Sequence, residues 1–231
     1  MVRELAAGVL DGLRGAAYLA RHRRLWKWVV APAVVVTLVA VVTMGWLLAI
    51  IGAIGLVGWT SIAIASATVI VAFAFLVAGP FNELISEAIE EREAGLEPPS
   101  FSVARFLHEI TISIVHAARR GVAHIAFIVA LFVIARFVPV VAALGSAWVA
   151  ARFASYAAYD AIWSRRHWQY RAKTAYLRDQ RWRTLGLGAL VAATLVVPGL
   201  NILGLAIGST GATLRMIESE RRDEMSKASA R

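Results

Sequence analysis

Long apolar runs alternate along this chain with compact charged blocks, and the sharpest change falls in LVAGPFNELISEAIEEREAG, positions 76–95. Between positions 28 and 82 there is no charged residue at all. At Pro80 the ring removes a backbone donor and clashes with the preceding turn. Beyond it, Phe81, Leu84, Ile85, Ala88 and Ile89 recur at helical spacing, while Glu83, Glu87, Glu90 and Glu91 take the other side. The pattern predicts a membrane-buried helix that gives way to an amphipathic helix at the interface, stopped by Gly95 and Pro98-Pro99.

The uncharged run holds two spanning helices, near 28–51 and 59–78, joined by the Gly-rich turn 52–58. Two further apolar blocks are shorter. The uncharged pieces 121–135 and 137–151 are separated by Arg136 and followed by Arg152, with Pro139 between. The run 184–214 is broken by Pro198-Gly199-Leu200-Asn201. Rising about 1.5 Å per residue, neither half of this last run crosses a hydrocarbon core of roughly 30 Å. The charged blocks 1–27, 83–120, 160–183 and 215–231 share one side if each apolar block is a hairpin entering and leaving there. The fold expected is therefore all-α and integral to a membrane. It has two full transmembrane helices, two Pro-tipped hairpins that penetrate part-way, and interfacial amphipathic helices. The order is a basic interfacial N-terminus (1–27) in which Leu5, Val9, Leu13 and Ala17 form an apolar stripe, a transmembrane hairpin (28–79) and amphipathic helices (80–120). A second hairpin (121–158), a basic helix (159–183), a short hairpin (184–214) and a polar tail (215–231) follow.

Composition agrees, with 59% hydrophobic and 17% charged residues where a soluble domain carries about a quarter charged. The net charge of +9 follows from cations on cytoplasmic flanks, which places both termini in the cytoplasm and removes the case for nucleic acid as a partner. With no cysteine there is no disulfide, thiolate nucleophile or cysteine metal site. The first residues do not read as a cleaved signal. His108-Glu109 and His116 have the wrong spacing to share a zinc, and Gly8, Gly12 and Gly15 lack a phosphate-binding context. No enzyme activity, metal or cofactor is expected.

Cations and helix ends beside a membrane path remain. Helices beginning just after Pro80, Pro139 or Pro198 would aim free N–H groups and a partial positive charge at an oxyanion. Arg136 and Arg152 either line an anion route or reach the headgroups. Asn82 and Asn201, close after prolines, either border that route or cap the helices that follow. Short, Pro-interrupted segments are in general a pointer to a transport path.

Gly79-Pro80-Phe81-Asn82-Glu83-Leu84-Ile85-Ser86-Glu87-Ala88-Ile89-Glu90 resembles the PFN-x-L-x-x-E-x-x-E signature of the bacterial CysZ sulfate permeases and the related etoposide-induced membrane proteins. Later stretches are similar in the same order: Tyr159-Asp160 with Arg165-Arg166, Leu177-Arg178 with Arg181 and Leu185-Gly186-Leu187-Gly188, and Pro198-Gly199-Leu200-Asn201 with Gly211-Ala212-Thr213. The resemblance implies sulfate uptake feeding cysteine synthesis, without ATP hydrolysis, by a membrane-embedded homo-oligomer in contact with lipid. It also implies an oxyanion site of the form Gly-Leu-Arg-Arg, which falls here on Arg24-Leu25-Trp26-Lys27, and an acidic position at Glu109. Arg replaces the Gly, Trp the first Arg and Lys the second. A non-transporting membrane scaffold with the same fold is the alternative.

Overall fold

The computed structural model describes residues 1–50, 78–96, 130, 138–196 and 200–229. In chain order these form α1 (Val2–Arg21), a single 3-10 turn (Arg23–Leu25), α2 (Trp26–Ile50), α3 (78–94), α4 (Pro139–Arg165), α5 (Tyr170–Asp179), α6 (Arg181–Val196) and α7 (Asn201–Ser229). Among the described residues the protein is all-α. No helix among them is long and apolar enough to cross a membrane. The expected turn at 52–58, most of the span 59–78, the segment 101–129 and Pro198 lie outside the described residues.

Helix α1 packs against α6 and α7, and α4 lies against the same two. The contact is backbone to backbone. A Cβ on Gly8 would collide with the carbonyl of Arg183, and one on Gly186 with the carbonyl of Leu5. On Gly15 it would lie 2.5 Å from the Ile207 carbonyl oxygen, and on Gly211 2.6 Å from that of Asp11. The buried face of α1 is accordingly Gly8, Asp11, Gly12, Gly15 and Leu19. This face is distinct from the stripe of Leu5, Val9, Leu13 and Ala17, of which Leu13 is half exposed and Ala17 is exposed. Small residues let helix axes approach, and here that closeness decides which face turns inward.

Two apolar clusters complete the bundle. One is aromatic: Tyr156, Tyr159 and Trp163 of α4 pack with Leu177 of α5 and Ala212 and Met216 of α7. Trp163 stacks on Tyr159 at 5.2 Å and on Trp168 at 5.9 Å. The other joins Leu19, Leu25 and Val29 to Ile85 and Ile89 of α3 and to Ala206 and Ile217 of α7. Helix α3 stops as expected, with Gly95 at φ +67 and its N–H bonded to the Glu91 carbonyl, and Leu96 N–H reaching the Glu90 carbonyl. Pro139 opens α4, where its missing donor is no loss.

Some expected boundaries differ. Helix α4 runs unbroken through 158, and the basic stretch beyond it is split by turns at 166–169 and at Gln180. Helix α7 continues past Leu214 to Ser229, so the polar tail is helical through that residue. Its charged side chains there reach α1, α3 and the α4–α5 turn, and those contacts hold the extension in place.

Gly211→Ala is expected to lower unfolding stability by about 1–3 kcal/mol, because the new methyl must push α1 and α7 apart. Gly79→Ala, whose Cβ would meet no described atom within 4 Å, is expected to leave stability unchanged or slightly raised. Thermal unfolding followed by circular dichroism compares them; equal melting temperatures for the two variants would contradict the packing described.

Candidate functional site

The chain leaves α1 through His22, whose Nδ1 lies 2.8 Å from the Tyr18 carbonyl oxygen. The turn that follows carries the residues expected to meet an anion. Arg24 and Lys27 are exposed, as is the neighbouring Arg23. The Lys27 ammonium sits 4.7 Å from the centre of the Trp28 ring. Leu25 is buried at 8% exposure and belongs to the second core cluster. The Trp26 indole is part-exposed and its N–H donates to the Leu19 carbonyl at 3.0 Å. Two of the four positions therefore anchor the turn, and two offer cations to solvent. Trp28 meets Phe81 at 6.3 Å, which sets this basic turn against the start of α3.

Of the remaining expected positions, Pro80 lies in the first described turn of α3, and Pro139 and Asn201 begin α4 and α7. Glu109, Arg136 and Pro198 lie outside the described residues. Asn82 does not cap a helix. Its side chain is buried and accepts from the Ser209 hydroxyl of α7 at 3.5 Å. One turn on, Thr213 donates to Ser86 at 2.9 Å. Asn82, Ser86 and Glu90 recur every four residues and form a buried polar stripe of α3 against α7 and the α4–α5 turn.

Glu90 corrects the expected acidic face, because it is only 2% exposed. Arg165 reaches its Oε2 with Nη1, and Arg166 donates from Nε and Nη2 to its Oε1 at 3.0 and 2.7 Å. Arg166 also bridges to Glu220 of α7, while Glu87 stands 4.0 Å from Arg165. Burial alone would depress the Arg166 pKa, but the hydrogen bonds to Glu220 and Glu90 outweigh it and hold the guanidinium above its ordinary value. The two halves of the sequence pattern, Glu87 with Glu90 and Arg165 with Arg166, are thus one charged clamp. Nearby, Tyr18 donates to Glu93 at 2.9 Å. Burial, followed by this contact, pushes its pKa up to about 12.

Other buried charges were not visible as candidates. Asp11, 3% exposed, receives Nε and Nη2 of Arg183 at 2.6 and 2.8 Å, a bidentate pair between α1 and α6. The hydrogen bonds to Asp11 raise the Arg183 pKa against the opposing effect of burial. Lys173, also 3% exposed, binds Asp160 at 2.8 Å and Ser164 at 3.3 Å. Arg152, by contrast a candidate in the sequence, is half-buried and donates to the Leu177 carbonyl at 3.4 Å. The one sequence signal for Asp11 was its place among Gly8, Gly12 and Gly15, which would put it on their face.

These features define an all-α protein whose helices are knitted by buried ion pairs behind a basic turn. The chain belongs to the family described as sulfate transporter CysZ/etoposide-induced protein 2.4, which matches residues 12–205. Curated relatives bear the same name. A sulfate transporter CysZ of Pseudomonas fluorescens is 29% identical over 147 residues, covering 60% of this chain and 57% of that protein. One of Pseudomonas syringae pv. tomato is 28% identical over 164 residues, covering 68% and 63%. The chain thus spans about three fifths of the length of the relatives it matches.

Glu90→Gln is expected to destabilise the fold by about 3 kcal/mol, since it leaves two part-buried guanidinium groups short of a charge. Glu87→Gln, at the long and more exposed contact, is expected to change stability by less than about 1 kcal/mol. Chemical unfolding of both variants measures the difference, and equal effects would contradict the clamp.

Proposed function

We propose that this protein is a multi-pass permease of the bacterial inner membrane that passes sulfate or a related oxyanion and serves sulfur assimilation. Membership of the family, with relatives named sulfate transporter CysZ, carries this reading. The uncharged run between 28 and 82 supports a membrane setting. So do the exposed Val34, Leu38, Val41 and Val42 of α2 and Val140 and Leu144 of α4, apolar surface that lipid would cover. In this reading Arg24 and Lys27 collect the anion. The helix starts near Pro80, Pro139 and Pro198, together with Asn82, Asn201, Arg136 and Glu109, border its route. The protein works as a homo-oligomer in lipid with both termini cytoplasmic, needs no cofactor and performs no chemistry on its substrate.

One observation favours a second reading, a membrane scaffold without flux. Leu25 is packed in the core and the Trp26 N–H is bonded to Leu19, so of the four positions from Arg24 to Lys27 only the first and last offer a cation to solvent.

Uptake of labelled sulfate into liposomes holding the purified protein separates the two. The permease reading expects saturable uptake above that of empty liposomes, with competition by other oxyanions. Arg24→Ala combined with Lys27→Ala should lower uptake roughly tenfold at low salt, with the difference shrinking as ionic strength rises. No flux of any anion from folded, inserted protein would overturn it in favour of the scaffold.

A further inference from the structure

Helix α1 keeps one face out of the bundle. Val2, Ala6, Leu10, Leu13, Ala17 and Ala20 are all exposed. At about 100° per residue they share an arc of about 80°, on the far side of the helix from Gly8, Asp11, Gly12, Gly15 and Leu19. Arg3, Arg14 and Arg21 are exposed as well, and they fall within about 20° of one line along the edge of that arc. Rising about 1.5 Å per residue, this row of cations runs for about 27 Å, nearly the whole helix. Glu4 is the one exposed acid of α1, since Asp11 is buried.

The two edges of this face border different surroundings. On the arginine side Arg14 faces Glu218 of α7 at 3.6 Å and Tyr18 bonds to Glu93 of α3, so this edge adjoins the charged end of the bundle. At the other edge Leu5 lies against Gly186 of α6, where that helix turns apolar. A helix so placed at a lipid surface buries the arc at the acyl boundary and holds its guanidinium groups at the depth of the phosphates. Cations beside an anionic leaflet each add to binding, and the planar guanidinium fork matches phosphate oxygens. A second copy presenting the same face would bring three more cations and one more acid, which is no match in charge. An anionic lipid surface is.

We propose that the outer face of α1 is a docking surface for anionic phospholipid, with Arg3, Arg14 and Arg21 taking the lipid phosphates and the apolar arc centred on Leu10 and Leu13 meeting the acyl chains. The inference rests on the membrane setting proposed above, and adds which lipid class the protein prefers and where it binds. The surface is separate from the turn at Arg24 and Lys27. Bound lipid presses α1 onto α6 and α7 from outside, so lipid composition tunes the stability of the contact that carries Asp11 and Arg183.

The test is the melting temperature of the purified full chain in neutral detergent, titrated at low salt with phosphatidylglycerol or with phosphatidylcholine of the same acyl chains. The wild type should gain more from phosphatidylglycerol, saturably, with half-saturation moving to higher lipid as salt rises. Inorganic phosphate at the same concentration should not reproduce the gain. Arg3→Gln with Arg14→Gln and Arg21→Gln should reduce the gain to that given by phosphatidylcholine. Arg171→Gln with Arg178→Gln and Arg181→Gln, which removes as many exposed cations from α5 and the start of α6, should keep it, as should Arg24→Ala with Lys27→Ala. If the triple α1 variant does not fold, Arg21→Gln alone should raise the half-saturating lipid fraction about fivefold. Equal gains from the two lipids in the wild type, a preference kept by the triple α1 variant, an equal loss in either control, an unchanged half-saturation in Arg21→Gln, or a gain reproduced by inorganic phosphate would each overturn the proposal. A lower particle mass of the triple α1 variant in light scattering would assign the face to a second copy and overturn it too. No gain from either lipid would overturn the membrane setting together with it, whereas absent sulfate uptake leaves the lipid preference standing.

Discussion

Helix α1 can lie backbone to backbone on α6 and α7 only because Gly8, Gly15, Gly186 and Gly211 carry no side chain at the contacts. That closeness has a consequence for charge. Asp11, between Gly8 and Gly12 on the same face, is carried into the interface, and a carboxylate there must be matched. Arg183, 172 positions later, matches it with two hydrogen bonds. Packing and electrostatics therefore specify the same register. Sliding α1 by one turn along α6 would separate the pair and set Cβ-bearing residues against the neighbouring backbones.

The same logic repeats between α3 and α7 with different chemistry. Asn82 and Ser86 meet Ser209 and Thr213 through hydrogen bonds, and Glu90 continues the stripe into the clamp with Arg165, Arg166 and Glu220. Neutral polar groups hold the helices where the surroundings are most apolar, and full charges hold them toward the charged end of α7. The basic turn is fixed to this frame by Leu25, by the Trp26 N–H and by the contact of Trp28 with Phe81. Its cations are thus displayed from a rigid support, which suits collection of an anion.

Much of the helical layout was legible in the sequence, because its signals are local. Gly95 stopped α3 through its positive φ, and Pro139 began α4 at the position where proline is tolerated. The inward faces were harder to read. On α1 hydrophobic periodicity marked Leu5, Val9, Leu13 and Ala17 as a membrane-surface stripe and was silent on the protein-facing side, which was chosen by the absence of side chains at Gly8, Gly12 and Gly15. Periodicity also set Glu90 among outward acids, since the two arginines that make its burial tolerable lie 75 and 76 positions away. At the candidate site, the cationic character of Arg24 and Lys27 was visible. The anchoring of Leu25 and Trp26 was not, because it depends on the Leu19 carbonyl and on a core formed with α3 and α7.

The central claim is that α1 is part of the packed bundle, held in register by one buried ion pair. A double-mutant cycle on Asp11→Ala and Arg183→Ala, read by chemical unfolding, tests it most directly. The account predicts that each single change destabilises by about 3 kcal/mol and that the double change costs much less than their sum, a coupling of at least about 2 kcal/mol. Additive effects would show that the pair does not hold α1 in the bundle, and the account would fail at its foundation.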